Sequence, residues 1–462
     1  MIAYRRTEYN YSLQRAAEWC RELKRPLLIL EALRVGYQWA SLRLHRFIIE
    51  GMFDNASSLK GKNALYYPYL EPENGRGKGL LEALSQKACI VVTDDFPCFF
   101  IPEMINAAAG KVPVSLEVID SNGILPLRAG EQEYKTAYSF RRFLQKVLPL
   151  HVHKRPLKEP IGELPVMNHG SLPENVLKRW PPLGSRDLEA LGKSGLSVFP
   201  IDHGVKEALF RGGRRAGLER MQEFLENGLA HYPERRNEPE LEGASGFSPY
   251  LHFGHICTHE ILEEIFQRES WSFHRLGQKA TGKKTGWWGM GEGAEAFLDE
   301  LLTWRELGFN MCHLRKDYDA YESLPDWARK TLHYHREDKR DYIYSLDELE
   351  SGGTHDPLWN AAQMQLVREG RIHNYLRMLW GKKILEWSRS PQDALHTMTT
   401  LNNKYALDGR DPNSYSGIFW TLGRYDRAWG PERRIFGKIR YMSSENTARK
   451  VGVKRYKEWY AP

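Results

Sequence analysis

The hydrophobic periodicity changes character partway along the chain, and this change restricts the possible folds more than any other feature. Up to about residue 150, short apolar runs of strand length alternate with stretches of helical spacing. From about residue 206 onward only helical spacing remains, with apolar residues at i, i+3, i+4 and i+7. Strands that alternate with helices are typical of a parallel sheet covered by helices. The sequence therefore predicts an α/β domain followed by an all-helical domain.

The first part divides into predicted elements with clear limits. We predict strands at 26–33, 88–95 and 113–120, and helices at 11–23, 41–55, 79–86 and 101–110. Asp94 and Asp95 close the second strand, where ligands of such sheets gather, although carboxylates there more often cap helices. Proline-rich residues 151–205 are typical of a connecting segment on the surface. The predicted organisation is thus a domain at 1–150, a linker at 151–205 and a helical domain at 206–462.

Composition excludes several classes of protein. The chain is 41% hydrophobic and 27% charged, which is typical of a globular protein with ample material for a core. No uncharged apolar run of about 18 residues is present, so we predict no membrane span, and the first residues lack a secretory signal. The five cysteines lie far apart without a CxxC pair. This favours a reducing compartment, hence a cytoplasmic location, and argues against a disulfide framework or a zinc site.

The net charge of +7 is concentrated at one end of the chain. The last 62 residues hold 13 Lys and Arg against 6 acidic residues, whereas the first 400 balance. The same segment contains Trp420, Trp429 and Trp459. A charge run is most often a solvated face, but interleaved basic and aromatic residues make a nucleic-acid surface the more specific alternative.

Ten of the 14 tryptophans lie between Trp287 and Trp459. Trp380 and Trp387 are seven residues apart in one predicted helix, hence on one face and about 10 Å apart. Trp359 lies near the start of the preceding helix. Indoles at this spacing could pass an electron from the surface to a buried redox centre, and they could equally be a packed aromatic stripe. The spacing alone leaves both interpretations open.

Two further patterns have both a functional and a structural interpretation. Arg377 and Asp408 could form a buried ion pair beside a ligand, or a network that joins two helices. Glu300 and Trp304 share a helical face, where a carboxylate beside an indole suits a nucleobase, or where Glu simply covers a core Trp. The segment 243–256 puts Gly and Ser ahead of a helix, which could offer N–H groups to a phosphate. The chain lacks the GxGxxG, P-loop, GxSxG and HExxH motifs, so neither an ordinary nucleotide site nor hydrolase chemistry is supported.

Three stretches of the second part together carry a family resemblance. They are THDPLWNAAQMQLVREGRIHNYLRMLWGKKILEW, LNNKYALDGRDPNSYSGIFW and IFGKIRYM. The chain resembles the class II cyclobutane-pyrimidine-dimer DNA photolyases over these stretches, over FLDELLTWREL and GFSPYLHFG, and more loosely over the α/β part. The resemblance spans most of the chain and is dense over residues 243–442.

The resemblance implies a fold and an activity. It implies an N-terminal parallel α/β (Rossmann-like) domain joined by a linker to a C-terminal helical domain that holds FAD. The activity implied is light-driven repair of cyclobutane pyrimidine dimers in double-stranded DNA, with reduced FAD as the electron donor to a flipped-out dimer. No metal and no membrane are required, and a monomer is expected.

The resemblance also implies roles for single residues, grouped by function. Flavin-contacting positions are Tyr232, Ser245, Phe247, Ser248, Arg305, Asn374, Arg377 and Asp408, and Asn402 would face the flavin ring. The photoreduction chain would run through Trp380, Trp359 and Trp387, with Tyr344 as a terminal donor. The dimer would be cradled by Trp304 and Trp420, with Glu300 as a hydrogen-bonding partner and Met378 in contact. DNA would be held by Arg427, Trp429 and Arg440.

Alternatives remain at the level of the sequence. A cryptochrome-like photoreceptor would keep the flavin and the tryptophans but lose repair, and Glu300, Trp304 and Trp420 argue against it. A DNA-binding protein without cofactor would explain only the basic segment. Repair of (6-4) photoproducts would need a histidine pair that the matching segments lack.

The family's first strand precedes a YWM-like segment with which Met1 coincides here. The completeness of the sheet therefore stays open, as does the presence of a deazaflavin or folate antenna.

Overall fold

The computed structural model describes residues 1–162, 164–166, 171–193 and 195–462. The remaining residues fall within the predicted linker at 151–205, so that prediction lies partly outside the described residues. The strands are β1 Leu27–Leu33, β2 Ala64–Leu70, β3 Val91–Asp94 and β4 Leu116–Ile119. The helices up to residue 268 are α1 Tyr11–Leu23, α2 Leu42–Leu59, α3 Leu80–Ser85, α4 Ile101–Ala109, α5 Ala137–Val147, α6 Glu174–Arg179, α7 Ser185–Lys193, α8 Arg214–Glu223, α9 Tyr232–Arg235, α10 Ser248–His252 and α11 Thr258–Arg268.

The rest of the described chain is built on helices and turns. These helices are α12 Glu292–Leu298, α13 Arg305–Leu314, α14 Asp326–Tyr334, α15 Leu346–Glu350, α16 Pro357–Glu369, α17 Asn374–Trp387, α18 Pro391–Tyr405, α19 Pro412–Thr421, α20 Ser444–Lys450 and α21 Lys454–Trp459. Two π-helical segments, Phe224–Gly228 and Asp299–Trp304, follow α8 and α12 directly. Among the described residues, no helix is long and apolar enough to cross a lipid bilayer.

The strands pair in parallel, as the alternation of strands and helices predicts. β1 pairs with β2, Leu27 opposite Ala64, and β3 pairs with β4, Val91 opposite Leu116. The three predicted strands are β1, β3 and β4, whereas β2 was missed because its sequence, ALYYPYL, contains a proline and lacks a β-branched run. The expectation of one sheet is also wrong for the described residues, since the four strands form two separate pairs.

The predicted helices of the first part are all present, with ends shifted by a few residues. Side-chain caps fix where two of them begin. The side chain of Asn10 accepts a hydrogen bond from the backbone N–H of Leu13 at the start of α1, and Ser41 does the same for Leu44 at the start of α2. Local chemistry therefore sets these boundaries, which is why the sequence predicts them well.

The chain forms two compact units, each assembled from separate stretches. Unit 1 contains 1–127, 150–222 and 247–265, and unit 2 contains 128–149, 223–246 and 266–462. These units do not follow the continuous division at residues 150 and 205, which stays a prediction about domains. Helix α5, on the α/β side of that division, belongs to unit 2, and α10 on the helical side belongs to unit 1.

In unit 1, helix α1 packs on β1, β3 and β4. Its buried face, with Leu13 and Ala17, shares a hydrophobic cluster with Leu27 and Ile29 of β1. Asp94 at the end of β3 is neither a helix cap nor a ligand position facing solvent, because it is buried and accepts hydrogen bonds from the backbone N–H groups of residues 2–4. The carboxylate therefore anchors that backbone to the end of the strand.

In unit 2, the packing centres on α17. Helices α16, α18 and α19 all pack against it, and α13 packs against α19 in turn. Side chains on several sides of α17 are fully buried, among them Leu376, Leu379, Ile384 and Leu385. Where a helix is buried, any polar side chain it carries must find a partner inside the protein. Five of the predicted functional residues lie on this helix: Asn374, Arg377, Met378, Trp380 and Trp387.

Candidate active site

Arg377 and Asp408 are brought together, as the sequence predicts. Gly370 ends α16 with a positive φ of 73°, and the chain then enters α17 at Asn374. Nη2 of Arg377 lies 3.4 Å from both carboxylate oxygens of Asp408, and both side chains are largely buried. Within the described part of the chain, Nε of Arg377 is buried without a hydrogen-bond partner. An unsatisfied buried donor is costly, so this N–H marks a place where a ligand acceptor would be stabilised.

Asn402 lies on the neighbouring helix α18, one turn before its end. The side chain is buried, and its Nδ2 donates to Oγ of Ser414 at 2.7 Å. Ser414 belongs to α19, whose first turn is capped by the side chain of Asp411. The amide is therefore held by a side chain that sequence reasoning did not identify.

The other predicted flavin positions are spread over several elements. Tyr232 begins α9, its ring packs at 5.6 Å and 5.5 Å from Phe224 and Phe297, and burial raises the pKa of its phenol. The guanidinium of Arg305 lies 4.4 Å from the ring of Phe309. On α17, Asn374 is exposed and Met378 is half-buried. All of these residues belong to unit 2.

The predicted phosphate-wrapping segment is divided between the two units. Ser245 belongs to unit 2, whereas Phe247 and Ser248 belong to unit 1. Ser248 is the first residue of α10 and not its N-cap, because the preceding position is Phe247. Helix α10 has only five residues, so the idea of a phosphate at a long helix N-terminus finds no support there.

Glu300 and Trp304 lie in a π-helical segment rather than in a regular helix. Residues 299–304 follow an i to i+5 hydrogen-bond pattern between α12 and α13, a local irregularity that is frequent at functional sites. The neighbouring Asp299 anchors this segment, since its carboxylate accepts two hydrogen bonds, of 2.6 Å and 3.0 Å, from the buried Arg141. Glu300 and Trp304 themselves are half-buried, hence open to a ligand.

Glu300 has a charged partner that the sequence analysis missed. Nη1 of Arg236 lies 2.7 Å from Oε1 of Glu300, and its guanidinium lies 5.4 Å from the ring of Tyr232. Burial raises the pKa of the Glu300 carboxyl above its ordinary value, and the nearby Arg236 opposes this rise only in part. The carboxyl is therefore easier to protonate than a surface glutamate, and a protonated carboxyl can donate a hydrogen bond to a carbonyl.

The three tryptophans of the predicted relay are buried, and hydrogen bonds hold the rings of Trp380 and Trp359. Nε1 of Trp380 donates to Oε1 of Gln363 at 2.8 Å, and Nε1 of Trp359 donates to the carbonyl of Trp380 at 3.0 Å. The rings of Trp359 and Trp387 lie 5.5 Å apart at 72°. The side chain of Asp356 accepts from the backbone N–H of Trp359 and so fixes the start of α16.

The ring series continues outward from Trp387. The ring of Tyr344 lies 5.4 Å from Trp387, and the ring of His355 lies 5.3 Å from it. Tyr342 stacks on His355 at 3.8 Å, with half of its side chain exposed. A continuous set of aromatic contacts thus runs from buried Trp359 to the surface, and Trp380 is joined to it through the hydrogen bond to its carbonyl.

A second aromatic group lies mainly in the basic segment, residues 401–462, and its rings contact cations rather than other rings. We call it the cation–indole cluster, and it consists of Lys382, Trp420, Asp426, Arg427, Trp429 and Arg440. The guanidinium of Arg440 lies 5.2 Å from the ring of Trp420 and 4.1 Å from that of Trp429. It also donates to both oxygens of Asp426, at 2.8 Å and 3.0 Å. The exposed Arg427 covers Trp429 at 4.5 Å.

Lys382 is the most unusual member of the cation–indole cluster. It lies on α17, is fully buried, donates from Nζ to the carbonyl of Thr421 at 2.6 Å and lies 4.9 Å from the ring of Trp420. Burial lowers the pKa of its ammonium to about 7, with Asp426 opposing and Arg440 adding to the shift. Sequence reasoning missed this residue, although a lysine within a stretch that is otherwise largely apolar is a signal that could have found it.

Known proteins resemble this chain over nearly its whole length. No protein-family model matches the chain. It is 35% identical over 458 residues to the deoxyribodipyrimidine photo-lyase of Methanothermobacter thermautotrophicus, covering 99% of this chain and 92% of that protein. The fold is similar to a bacterial class III photolyase from Agrobacterium tumefaciens, with a TM-score of 0.69, 15% identity, and coverage of 99% and 84% of the two chains. An archaeal photolyase from Sulfolobus tokodaii with two FAD molecules gives a TM-score of 0.66 at 15% identity, with coverage of 100% and 89%.

The identity to the archaeal relative extends over nearly the whole of both chains, so it concerns the entire molecule and not one motif. The likeness to the two solved structures, at lower identity, concerns the fold of mixed helices and small parallel sheets. Together with the arrangement around α17, this leads to one conclusion: the chain belongs to the deoxyribodipyrimidine photo-lyase family.

Proposed function

We propose that this chain is a class II photolyase that uses light to split cyclobutane pyrimidine dimers in DNA, with FAD as its cofactor. The observation that carries the proposal is the composition of α17. One buried helix holds Arg377 of the ion pair, Met378, and Trp380 at the inner end of the ring series. The arginine that would bind the cofactor and the first tryptophan of the electron path therefore lie on the same helix. A functional site is most precise when a rigid element holds its groups in this way.

The chain's residues fit a flavin at Arg377. Its buried Nε lacks a partner among the described residues, and a flavin ring carries carbonyl and nitrogen acceptors that would satisfy such a donor. Asp408 would keep the guanidinium in place and balance its charge. Tyr232, Asn374, Arg305 and Asn402, together with the segment of Ser245, Phe247 and Ser248, are the further residues that we propose for the cofactor. Bound FAD would supply the light-excitable one-electron donor.

For the substrate, we propose that an extruded dimer lies against Trp304 and Trp420. A dimer is weakly stacked and so costs little to flip out of the duplex, and aromatic side chains then hold it. Glu300 would bind a pyrimidine carbonyl in its protonated form, which its raised pKa favours, and Arg236 would set its orientation. Met378 would contact the dimer from α17.

The exposed cations of the cation–indole cluster would hold the phosphates that flank the dimer. Arg427, Trp429 and Arg440 combine positive charge with flat rings, the combination that binds nucleic-acid backbone and unpaired bases. The partner is double-stranded DNA that contains a pyrimidine dimer. We further propose that the protein is a monomer. A cytoplasmic location is in keeping with five cysteines that form no disulfide. An antenna, either a deazaflavin or a folate, remains an open part of the proposal.

The test uses the purified full chain. Visible absorption after reconstitution should reveal bound FAD, and the chemically reduced protein should repair a duplex with a single thymine dimer under near-UV or blue light but not in the dark. Arg377→Ala should lose the flavin absorption, whereas replacement of the exposed Arg336, in the turn after α14, by Ala should keep it. A protein that binds FAD and leaves dimers unrepaired would be a photoreceptor, and one without flavin absorption would disprove the proposal altogether.

A further inference from the structure

The outer end of the ring series contains a histidine that the proposed electron path does not use. Tyr344 is the predicted terminal donor, and its hydroxyl lies 2.6 Å from Nδ1 of His355. The backbone N–H of His355 donates to the same hydroxyl oxygen at 3.1 Å. The phenol oxygen therefore accepts one hydrogen bond from the backbone, and its own proton points to the imidazole when Nδ1 is unprotonated.

The position of His355 is fixed by the start of α16. The next residue, Asp356, caps this helix by accepting from the backbone N–H groups of Leu358 and Trp359. The imidazole is stacked on Tyr342 at 3.8 Å on one side and contacts Trp387 at 5.3 Å on another. The histidine is thus held against both the donor phenol and the indole that would oxidise it, and its own exposure gives a proton a way out to solvent.

Chemistry requires a proton acceptor at this place. A phenol that loses an electron becomes a very strong acid, so removal of the electron alone is unfavourable unless the proton leaves too. A base within 2.6–3.2 Å of the proton satisfies the geometry of general base catalysis, and the contact to His355 does so. The described chain thus places a base where a neutral tyrosyl radical would need one.

We propose that His355 takes the phenol proton of Tyr344 when Tyr344 refills the relay. In this step one electron passes from Tyr344 to Trp387, which has lost an electron along the relay after illumination. The O–H bond of Tyr344 breaks, and its proton binds to Nδ1 of His355. The products are a neutral tyrosyl radical, a neutral Trp387 and an imidazolium, which then releases its proton to water. The inference rests on the flavin and the photoreduction chain of the proposed function and not on dimer repair, because the oxidant is Trp387 of that chain.

The proposed step makes recombination slower. Once the proton has moved to the imidazole and on to solvent, the electron cannot return to the tyrosyl radical without the proton. The hole is then held at the surface beside Tyr342, whose exposed ring is within reach of a small reductant in solution. The arrangement thus favours a long-lived separated charge, and this is the role we assign to His355.

The test compares three variants reconstituted with oxidised FAD: His355→Gln, Tyr344→Phe and, as a matched control, Tyr342→Phe. After a light flash the wild type should give the electron paramagnetic resonance signal of a neutral tyrosyl radical, formed more slowly in D₂O. His355→Gln, which can accept a hydrogen bond but not a proton, should slow radical formation by about 100-fold. Tyr344→Phe should abolish the signal, and Tyr342→Phe should keep it.

A second measurement requires no flavin. In ¹⁵N-labelled apoprotein, the Nδ1 resonance of His355 should shift in Tyr344→Phe and stay in place in Tyr342→Phe. His355→Asn provides a second variant should the glutamine perturb folding, and flavin absorption of each variant reports a folded site. Radical formation at the wild-type rate in both His355 variants would overturn the inference, as would an unchanged Nδ1 resonance in Tyr344→Phe. Dimer repair by the chemically reduced wild type is scored separately, because its loss refutes the proposed function and leaves the proton step standing.

Discussion

The two aromatic groups of unit 2 both include residues of α17, and they differ in what surrounds their rings. Around Trp380, Trp359 and Trp387 the partners are other rings, a glutamine amide and a backbone carbonyl. In the cation–indole cluster, Trp420 and Trp429 lie under guanidinium and ammonium groups. A neighbouring cation repels the positive charge of an oxidised indole, and it attracts a phosphate. The first environment permits a ring to lose an electron, and the second favours binding of DNA.

One contact tests this distinction. Lys383 lies 5.4 Å from the ring of Trp387, and a cation there by itself disfavours oxidation of that ring. Its ammonium, however, is paired with Glu386 at 2.9 Å, so the local charge is balanced. Lys382, by contrast, has no carboxylate within ion-pair distance in the described chain. The two adjacent lysines therefore differ: Lys383 contributes a balanced charge beside the relay ring Trp387, and Lys382 is a cation without a paired carboxylate beside Trp420.

The largest effect is expected for Trp380→Phe. Phenylalanine is much harder to oxidise than tryptophan, so photoreduction of bound oxidised FAD should fall by at least about 100-fold, while repair by the chemically reduced protein persists. Flash absorption spectroscopy measures the first and a repair assay the second. Trp327→Phe, which changes an indole on α14, should leave both unchanged. Equal photoreduction in Trp380→Phe would refute the relay.

Trp420→Ala should act on binding and spare photoreduction. Loss of an aromatic surface for an unstacked base costs about 1–3 kcal/mol, so affinity for a dimer-containing duplex should fall by about 5- to 150-fold. Affinity for undamaged DNA should change little. A fluorescence anisotropy titration against both duplexes measures this, with Trp459→Ala as a control for an exposed indole of the same basic segment. Loss of photoreduction in Trp420→Ala would contradict the assignment of electron transfer to one group of rings and DNA binding to the other.

The sequence predicts some members of the two aromatic groups and misses others, for a physical reason. Helix periodicity and caps are local, so the limits of α1 and α16 follow from the residues themselves. Members of one helix, such as Arg377 and Trp380, are placed by the same local rule. The partners that complete each group come from other elements, as Arg236 does for Glu300 and Gln363 for Trp380.

Such contacts depend on packing over long separations in sequence, which periodicity does not encode. The same holds for strand β2, whose pairing with β1 compensates for a poor strand sequence. The division of the chain into two interleaved units has the same origin, because the linking stretches carry no local signal of the unit they join.

The buried Lys382 should make stability depend on pH. Its pKa is about 7 in the folded protein and near 10.4 in the unfolded chain, so the unfolded state holds the extra proton between these values. Stability therefore rises with pH across that window, by at most about 1.4 kcal/mol per pH unit. Lys382→Met should flatten this rise, as measured by urea midpoints at pH 7.5, 8.5 and 9.5. Lys450→Met, at an exposed position on α20, should keep the wild-type profile, and parallel profiles for both variants would contradict the assignment.

The smallest effect separates two arginines within the cation–indole cluster. Among the described residues, Arg427 makes no ion pair, whereas Arg440 is bound by both oxygens of Asp426. A phosphate contact by an unpaired arginine releases about one counterion, so Arg427→Gln should reduce the slope of log affinity against log salt by about 0.9. Arg440→Gln should change the slope less, because Asp426 already neutralises that charge, and should weaken binding mainly by releasing Trp429. Equal slopes for the two variants would mean that the ion pair between Arg440 and Asp426 breaks when DNA binds. The cation–indole cluster would then change its conformation on binding.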